Sequence, residues 1–110
     1  MNIQIFGRGK CFDTKKAQRW FKERRIGFQY VDLDKYGMSR RELENVKRAV
    51  GLDALINDKD RDYPQIAYLA GDEAKLEKLF DCPWLIRTPV VRNGKQATVG
   101  YAPETWQTWE

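Results

Sequence analysis

Histidine is absent from the sequence. Its absence removes imidazole acid–base catalysis and the commonest metal ligand together. Cysteine occurs only twice, as Cys11 and Cys82. Two thiols do not make a disulfide framework, and with no histidine or second cysteine pair they do not make a zinc site, so no metal is expected. No apolar run approaches the roughly 18 residues that a membrane span needs. The opening MNIQIFG has no basic start followed by a long apolar core, as a secretory signal would. These absences predict a cytoplasmic protein with reduced thiols and no membrane partner. No internal repeat, low-complexity segment or Pro/Ser-rich linker divides the chain, so its 110 residues read as one domain, 1–110.

Aromatic and apolar residues are plentiful: 42% of the chain is apolar, with four Trp, five Tyr and five Phe, enough to fill one core. Charged residues make up 33%, both signs mixed, which argues for a folded chain. The net charge of +4 favours a small anionic partner. It is too small and too evenly spread to suggest direct nucleic-acid binding, and KERR at 22–25 reads as a solvated helix face.

Residues 2–6 read as a strand ending at Gly7. From Thr14 to Arg25, Ala17, Trp20 and Phe21 mark one face of a helix that Asp13 or Thr14 caps and Gly27 breaks. FQYVDL, 28–33, alternates as a second strand, completing a β-α-β unit with parallel strands. Ser39 with Glu42 is a capping box, opening a helix that Gly51 ends. Residues 54–71 read as a loop and a short helix through Ile66 and Leu69, and 73–80 as another helix. Val90 and Val91 run into Asn93-Gly94, a strong hairpin signal, and Lys95 to Val99 returns. Pro103 opens a last helix within 102–109.

Cys11 lies where the first strand gives way to the first helix. Unpaired amide hydrogens and the positive end of the macrodipole stabilise an anion there, and Arg8 and Lys10 add full charges. All three lower a thiol pKa from about 8.5. A free cysteine is also often no more than a small buried hydrophobe. Thr14 stands where a dithiol motif has its second cysteine; it reads either as a helix cap or as a hydroxyl donor to the thiolate at i, i+3 spacing. Cys82 is the only internal candidate for a resolving thiol, or else a half-buried residue before Pro83. A cis Thr88–Pro89 bond is one reading of the proline at the start of a strand. Arg87 and Arg92 bracket it, as anion ligands or as surface residues.

IFGRGKCFDTKKAQRWF, GFQYVDLDKYGMSRREL and WLIRTPVVRNGK together resemble the arsenate reductase (ArsC)/Spx family of thioredoxin-like proteins, in order and over nearly the whole chain. The resemblance implies an α/β thioredoxin-like fold: a mixed four-stranded sheet, βαβ then ββα, with a helical insertion over about residues 39–82. It implies that Cys11 is the nucleophilic cysteine and that Pro89 is cis beside it. In the family's reductases the cysteine attacks arsenate, and glutathione with glutaredoxin resolves the adduct. A thiol-dependent oxidoreductase with no bound cofactor is therefore expected, Cys11 attacking, Thr14 hydrogen-bonding it, Arg8, Lys10, Arg87 and Arg92 holding a small anionic or thiol substrate. The family usually has an arginine directly before the proline; here Thr88 holds that place. ALINDKDRDY offers Asn57, Lys59 or Arg61 for a second family arginine. The Spx branch implies an alternative: a regulator that binds an RNA polymerase subunit, with Cys11 as redox sensor. Thr14 replaces the second cysteine of that branch's Cys-x-x-Cys pair.

Overall fold

The computed structural model describes residues 1–110. Its elements are β1 (Ile3–Gly7), α1 (Phe12–Glu23), β2 (Phe28–Asp32), α2 (Arg40–Val50), α3 (Leu52–Leu55), α4 (Pro64–Ala67), α5 (Asp72–Asp81), a 3₁₀ turn (Pro83–Leu85), β3 (Val90–Asn93), β4 (Gln96–Val99) and α6 (Pro103–Trp106). The sheet runs β2-β1-β3-β4. β1 and β2 are parallel, with Ile5 opposite Tyr30. β3 is antiparallel to β1 and to β4, with Val91 opposite Ile5 and Thr98. This is the expected thioredoxin-like arrangement, with α2 to α5 inserted between the βαβ and ββα units.

Side-chain alternation divides the core between the two faces of the sheet. Ile3, Ile5 and Val91 pack with Ala17, Trp20 and Phe21 of α1 and with Trp106 and Trp109. Phe6 and Val90 face the other way, into Leu43, Val46, Leu55, Leu79 and Leu85 of the inserted helices. The aromatic rings of Trp20, Phe21 and Trp106 meet edge-on or tilted, with centroids 4.9 to 5.4 Å apart. The Trp106 indole N–H donates to Thr98 Oγ1 at 2.8 Å, so the C-terminal segment is keyed to β4 by a buried hydrogen bond.

Local signals explain several boundaries. The capping box is formed: Glu42 N–H donates to Ser39 Oγ at 3.1 Å, and Ser39 N–H donates to Glu42 Oε1 at 2.8 Å. α1 starts and stops two residues earlier than its periodicity predicts. Its N-cap is Cys11, not Asp13 or Thr14, and no side chain caps it. It ends in a Schellman motif, with Ile26 N–H on Phe21 C=O and Arg25 N–H on Lys22 C=O, both 3.0 Å, and Arg25 at φ 58°. The hairpin turn is also shifted. Asn93 pairs with Gln96, so Gly94 and Lys95 form the two-residue loop, with Gly94 at φ 60°. The Asn93 side chain instead joins both ends of the chain, its Oδ1 accepting from Asn2 N–H at 3.1 Å and its Nδ2 donating to Glu110 C=O at 3.3 Å. α3 has no counterpart among the expected elements, because a four-residue helix has too few positions to show a period.

The junction of β1 and α1 is closely packed. A Cβ on Gly7 would lie 2.3 Å from Thr14 Cγ2 and 2.6 Å from Thr14 Oγ1, distances no real contact shows. Thr14 is wholly buried. Glycine at 7 is therefore required by the side chain seven residues on, not by its own backbone angles.

Two outcomes follow for urea unfolding. Gly7→Ala should destabilise by about 2 kcal/mol or more through overpacking, and adding Thr14→Ala should recover much of that loss. Losses that simply add would show that this contact is not the constraint. Thr98→Val keeps the shape but leaves the Trp106 indole N–H without its acceptor, at a cost of about 1–3 kcal/mol.

Candidate functional site

Cys11 is partly exposed and forms the N-cap of α1. Its amide donates to Arg8 C=O at 3.1 Å, closing the turn that leads out of β1. The facing wall is the loop before β3. Residues 85–87 are held there by bonds to the end of α3: Asn57 N–H donates to Leu85 C=O at 2.8 Å and Arg87 N–H to Leu55 C=O at 2.7 Å. The Thr88–Pro89 peptide bond is cis, and the Thr88 carbonyl accepts from the Cys11 thiol at 3.7 Å. Arg8, Lys10, Cys11, Asn57, Arg87 and Thr88 together line an open cavity of about 340 Å³.

Burial by itself pushes the Cys11 thiol up, but hydrogen bonds outweigh it and the thiol lies below its ordinary value. The stabilising bonds come from the hydroxyls of Thr14 and Thr88 and from the backbone N–H groups of Thr14 and Asp13. The amides are the unpaired donors of the first helical turn. The largest stabilisers are thus short-range hydrogen bonds rather than the two neighbouring cations. The Tyr30 hydroxyl is pushed up, first by burial, then by Asp32 and Asp34, then by Cys11.

The predicted anion ligands part company here. Arg8 is largely buried, its side chain 16% exposed, and its guanidinium is already engaged. It donates to the carbonyls of Pro83 and Ile86, the latter at 2.9 Å, and to Thr88 Oγ1 at 3.4 Å, and it faces Asp34 at 3.7 Å. Desolvation lowers its pKa, against the pull of Asp34, Cys11, Asp60 and Asp32. Lys10 is exposed at the cavity edge. Arg87 lines the cavity with its guanidinium 3.3 Å from Asp58. Arg92 is elsewhere. It donates to Asn45 Oδ1 at 2.9 Å and to Gln4 Oε1 at 2.6 Å and faces Glu42 at 3.6 Å, lining a separate groove along α2. Cys82 is 8% exposed, packed among the residues of the insertion core, and does not line the Cys11 cavity. Both cysteines are free.

Three residues of the site are weakly marked or unmarked in the sequence. Thr88 is notable there only as the residue in place of an arginine, Asn57 is one of three unaligned candidates, and Asp58 does not stand out at all. The ladder between 55–57 and 85–87 brings Asn57 and Asp58 to Arg87, and a pairing across some thirty positions has no local signature. No group of three or more His, Cys, Asp or Glu side chains is placed to hold a metal ion.

The whole of this architecture has relatives. The global transcriptional regulator Spx 2 of Oceanobacillus iheyensis is 28% identical over 107 residues, covering 92% of this chain and 78% of that protein. An arsenate reductase from Vibrio cholerae superposes with a TM-score of 0.83 at 23% identity, over 96% of this chain and 94% of that one. The YffB protein gives the same TM-score at 24% identity, over 96% of each. At such identities the two structures speak for the fold alone. The family model described as the ArsC family matches residues 6–109, nearly end to end, and the chain belongs to that family.

Proposed function

We propose that this protein is a thiol-dependent oxidoreductase that works through one nucleophilic cysteine, Cys11, and is regenerated by an outside thiol. The observation that carries the reading is the setting of that sulfur: at the N-cap of α1, against the Thr88 carbonyl of the cis-proline loop, and open to a cavity edged by Lys10 and Arg87.

The chemistry is thiol–disulfide exchange. The Cys11 thiolate attacks one sulfur of a small disulfide. The S–S bond breaks, its electron pair leaves with the second sulfur as a thiolate, and Cys11 keeps the first as a mixed disulfide. A second thiolate, of glutathione or delivered by a glutaredoxin, attacks the mixed disulfide and restores Cys11. Backbone amides of the first helical turn hold the leaving Cys11 thiolate in that second step. Lys10 and Arg87 hold a carboxylate of the substrate, and Pro89 closes the wall opposite. Cys82 lies in the insertion core, so resolution falls to the external thiol and no bound cofactor is required. Free thiols throughout suit a reducing compartment such as the cytoplasm.

A second reading has a specific support. The similarity to an Spx regulator favours a protein that binds an RNA polymerase subunit, in which Cys11 senses oxidation and Thr14 removes the internal partner thiol.

Alkylation of Cys11 as a function of pH separates these from an inert thiol. The midpoint should lie below that of an ordinary cysteine. Thiol-dependent turnover of a small mixed disulfide should be lost in Cys11→Ser. A midpoint at or above a free thiol's, with no turnover, overturns the enzyme reading. Capture of the polymerase α subunit by wild type and Cys11→Ser alike would instead support the regulator.

A further inference from the structure

We propose that the groove between α2 and the β3–β4 hairpin docks an acidic segment of a partner polypeptide. The groove has a volume of about 510 Å³ and shares no lining residue with the Cys11 cavity. The proposal does not rest on any reading of Cys11.

Folding gathers charge that the sequence spreads. Arg41, Arg48, Arg92 and Lys95 line the groove, against one carboxylate, Glu44. Arg41 and Arg48 stand two helical turns apart on α2, a separation of about 10 Å along its axis. Both are exposed, as is Lys95 at the hairpin turn, and none of the three is in an ion pair. On the far side of Arg48 a second groove carries Asp72 and Glu73 of α5, and Asp72 faces Lys47 at 3.5 Å. The basic surface therefore ends at Arg48.

The walls of the groove are fixed before a partner arrives, which lowers the entropy lost on binding. Asn45 ties them together: its Oδ1 accepts from Arg92 Nε at 2.9 Å, and its Nδ2 donates to Lys95 C=O at 3.3 Å. Arg92, its side chain 16% exposed, also donates from Nη1 to Gln4 Oε1 at 2.6 Å and faces Glu42 at 3.6 Å. Its Nη2 makes no hydrogen bond and remains a donor for a carboxylate. An extended chain covers about 10 Å in about three residues, so acidic side chains on alternate residues meet successive cations from one face. A peptide also brings amide N–H donors for Glu44. Nucleic acid suits the groove less well. No aromatic or other apolar side chain lines it, so single-stranded bases have nothing to stack on, and a phosphodiester has no donor for Glu44.

Fluorescence anisotropy at low ionic strength, with a labelled decapeptide of alternating Glu and Ser, tests the assignment. The wild type should bind it saturably and should not bind the Gln/Ser counterpart. Arg41→Gln, Arg48→Gln and Lys95→Gln together should weaken binding about tenfold. Lys15→Gln, Arg19→Gln and Lys22→Gln together take the same charge from exposed positions of α1 and should weaken it less than about twofold. Equal losses in the two triple variants would mean attraction by net charge alone and would overturn the proposal. An unchanged affinity in the groove variant would do the same, as would binding that is lost in Cys11→Ser. A single-stranded oligonucleotide of equal charge that binds as tightly and displaces the peptide would also overturn it. If the groove variant does not fold, Lys95→Gln at the exposed turn is read in its place, with a loss of about twofold expected; no loss there counts against the proposal.

Discussion

The half-buried Arg8 guanidinium is the interaction on which the site rests. The loop from Pro83 to Thr88 presents carbonyl oxygens toward the start of α1, and the Thr88 carbonyl lies 3.7 Å from the sulfur. Carbonyls so placed repel an anion. Arg8 donates to those of Pro83 and Ile86 and brings a full positive charge between the loop and the helix. The same bonds fix the distance between the two walls of the cavity. Desolvation works against that charge and Asp34 works for it. A buried cation with this many acceptors is costly to remove, because each acceptor would then be left without a partner.

Sequence reasoning places the stabilisation of Cys11 in the unpaired amides and dipole of the helix start and in the charges of Arg8 and Lys10, with Thr14 read either as a cap or as a hydroxyl donor. What lowers the Cys11 thiol below its ordinary value is led by the neighbouring hydroxyls of Thr14 and Thr88 and the first-turn amides. The difference is one of range. Lys10 is exposed, and an exposed charge acts through water and is screened over about 8–10 Å. A hydrogen bond to an ionised acceptor keeps its strength because nothing intervenes. Thr14 therefore serves two purposes at once. Its methyl and hydroxyl fill the space that Gly7 leaves open, and its hydroxyl oxygen accepts from the Arg8 N–H at 3.4 Å, tying α1 to the turn that precedes Cys11.

Much of the frame is legible because it is written in short-range patterns. The face of Ala17, Trp20 and Phe21, the Ser39–Glu42 box and the alternation of Val90 and Val91 each occupy a few consecutive positions and answer to one period or one cap. Cys11 is legible for the same reason, since the change from strand to helix is local. The parts that escape such reading are held by partners far along the chain. α3 exists between Gly51 and the bridge of Ile56 to Ile86. Asn57 and Asp58 reach the cavity through that bridge. Arg92 follows Pro89 closely in sequence, yet β3 turns it toward Gln4, Asn45 and Glu42, away from the sulfur. Asn93 reads as a turn residue and is a tie between the chain ends, because Asn2 and Glu110 supply partners that no local window contains.

The reassignment of arginines bears on what the cavity accepts. The ArsC family pattern has an arginine directly before the cis-proline, and here Thr88 stands in its place. Arg8 is committed to backbone carbonyls and to Thr88, Arg92 lines another groove, and Arg87 shares its charge with Asp58 at 3.3 Å. Lys10 remains as a point charge without a fork. A compact, multiply charged oxyanion draws its affinity from several bidentate guanidinium contacts at once, and such a set is not assembled around Cys11. A single carboxylate on a larger thiol or disulfide asks for less: one cation, an amide side chain such as Asn57, and room. The cavity has all three. On the proposed reading of Cys11 as the nucleophile, the charge around it suits a sulfur electrophile better than an inorganic oxyanion, because the Arg8 guanidinium is engaged in holding the loop before β3.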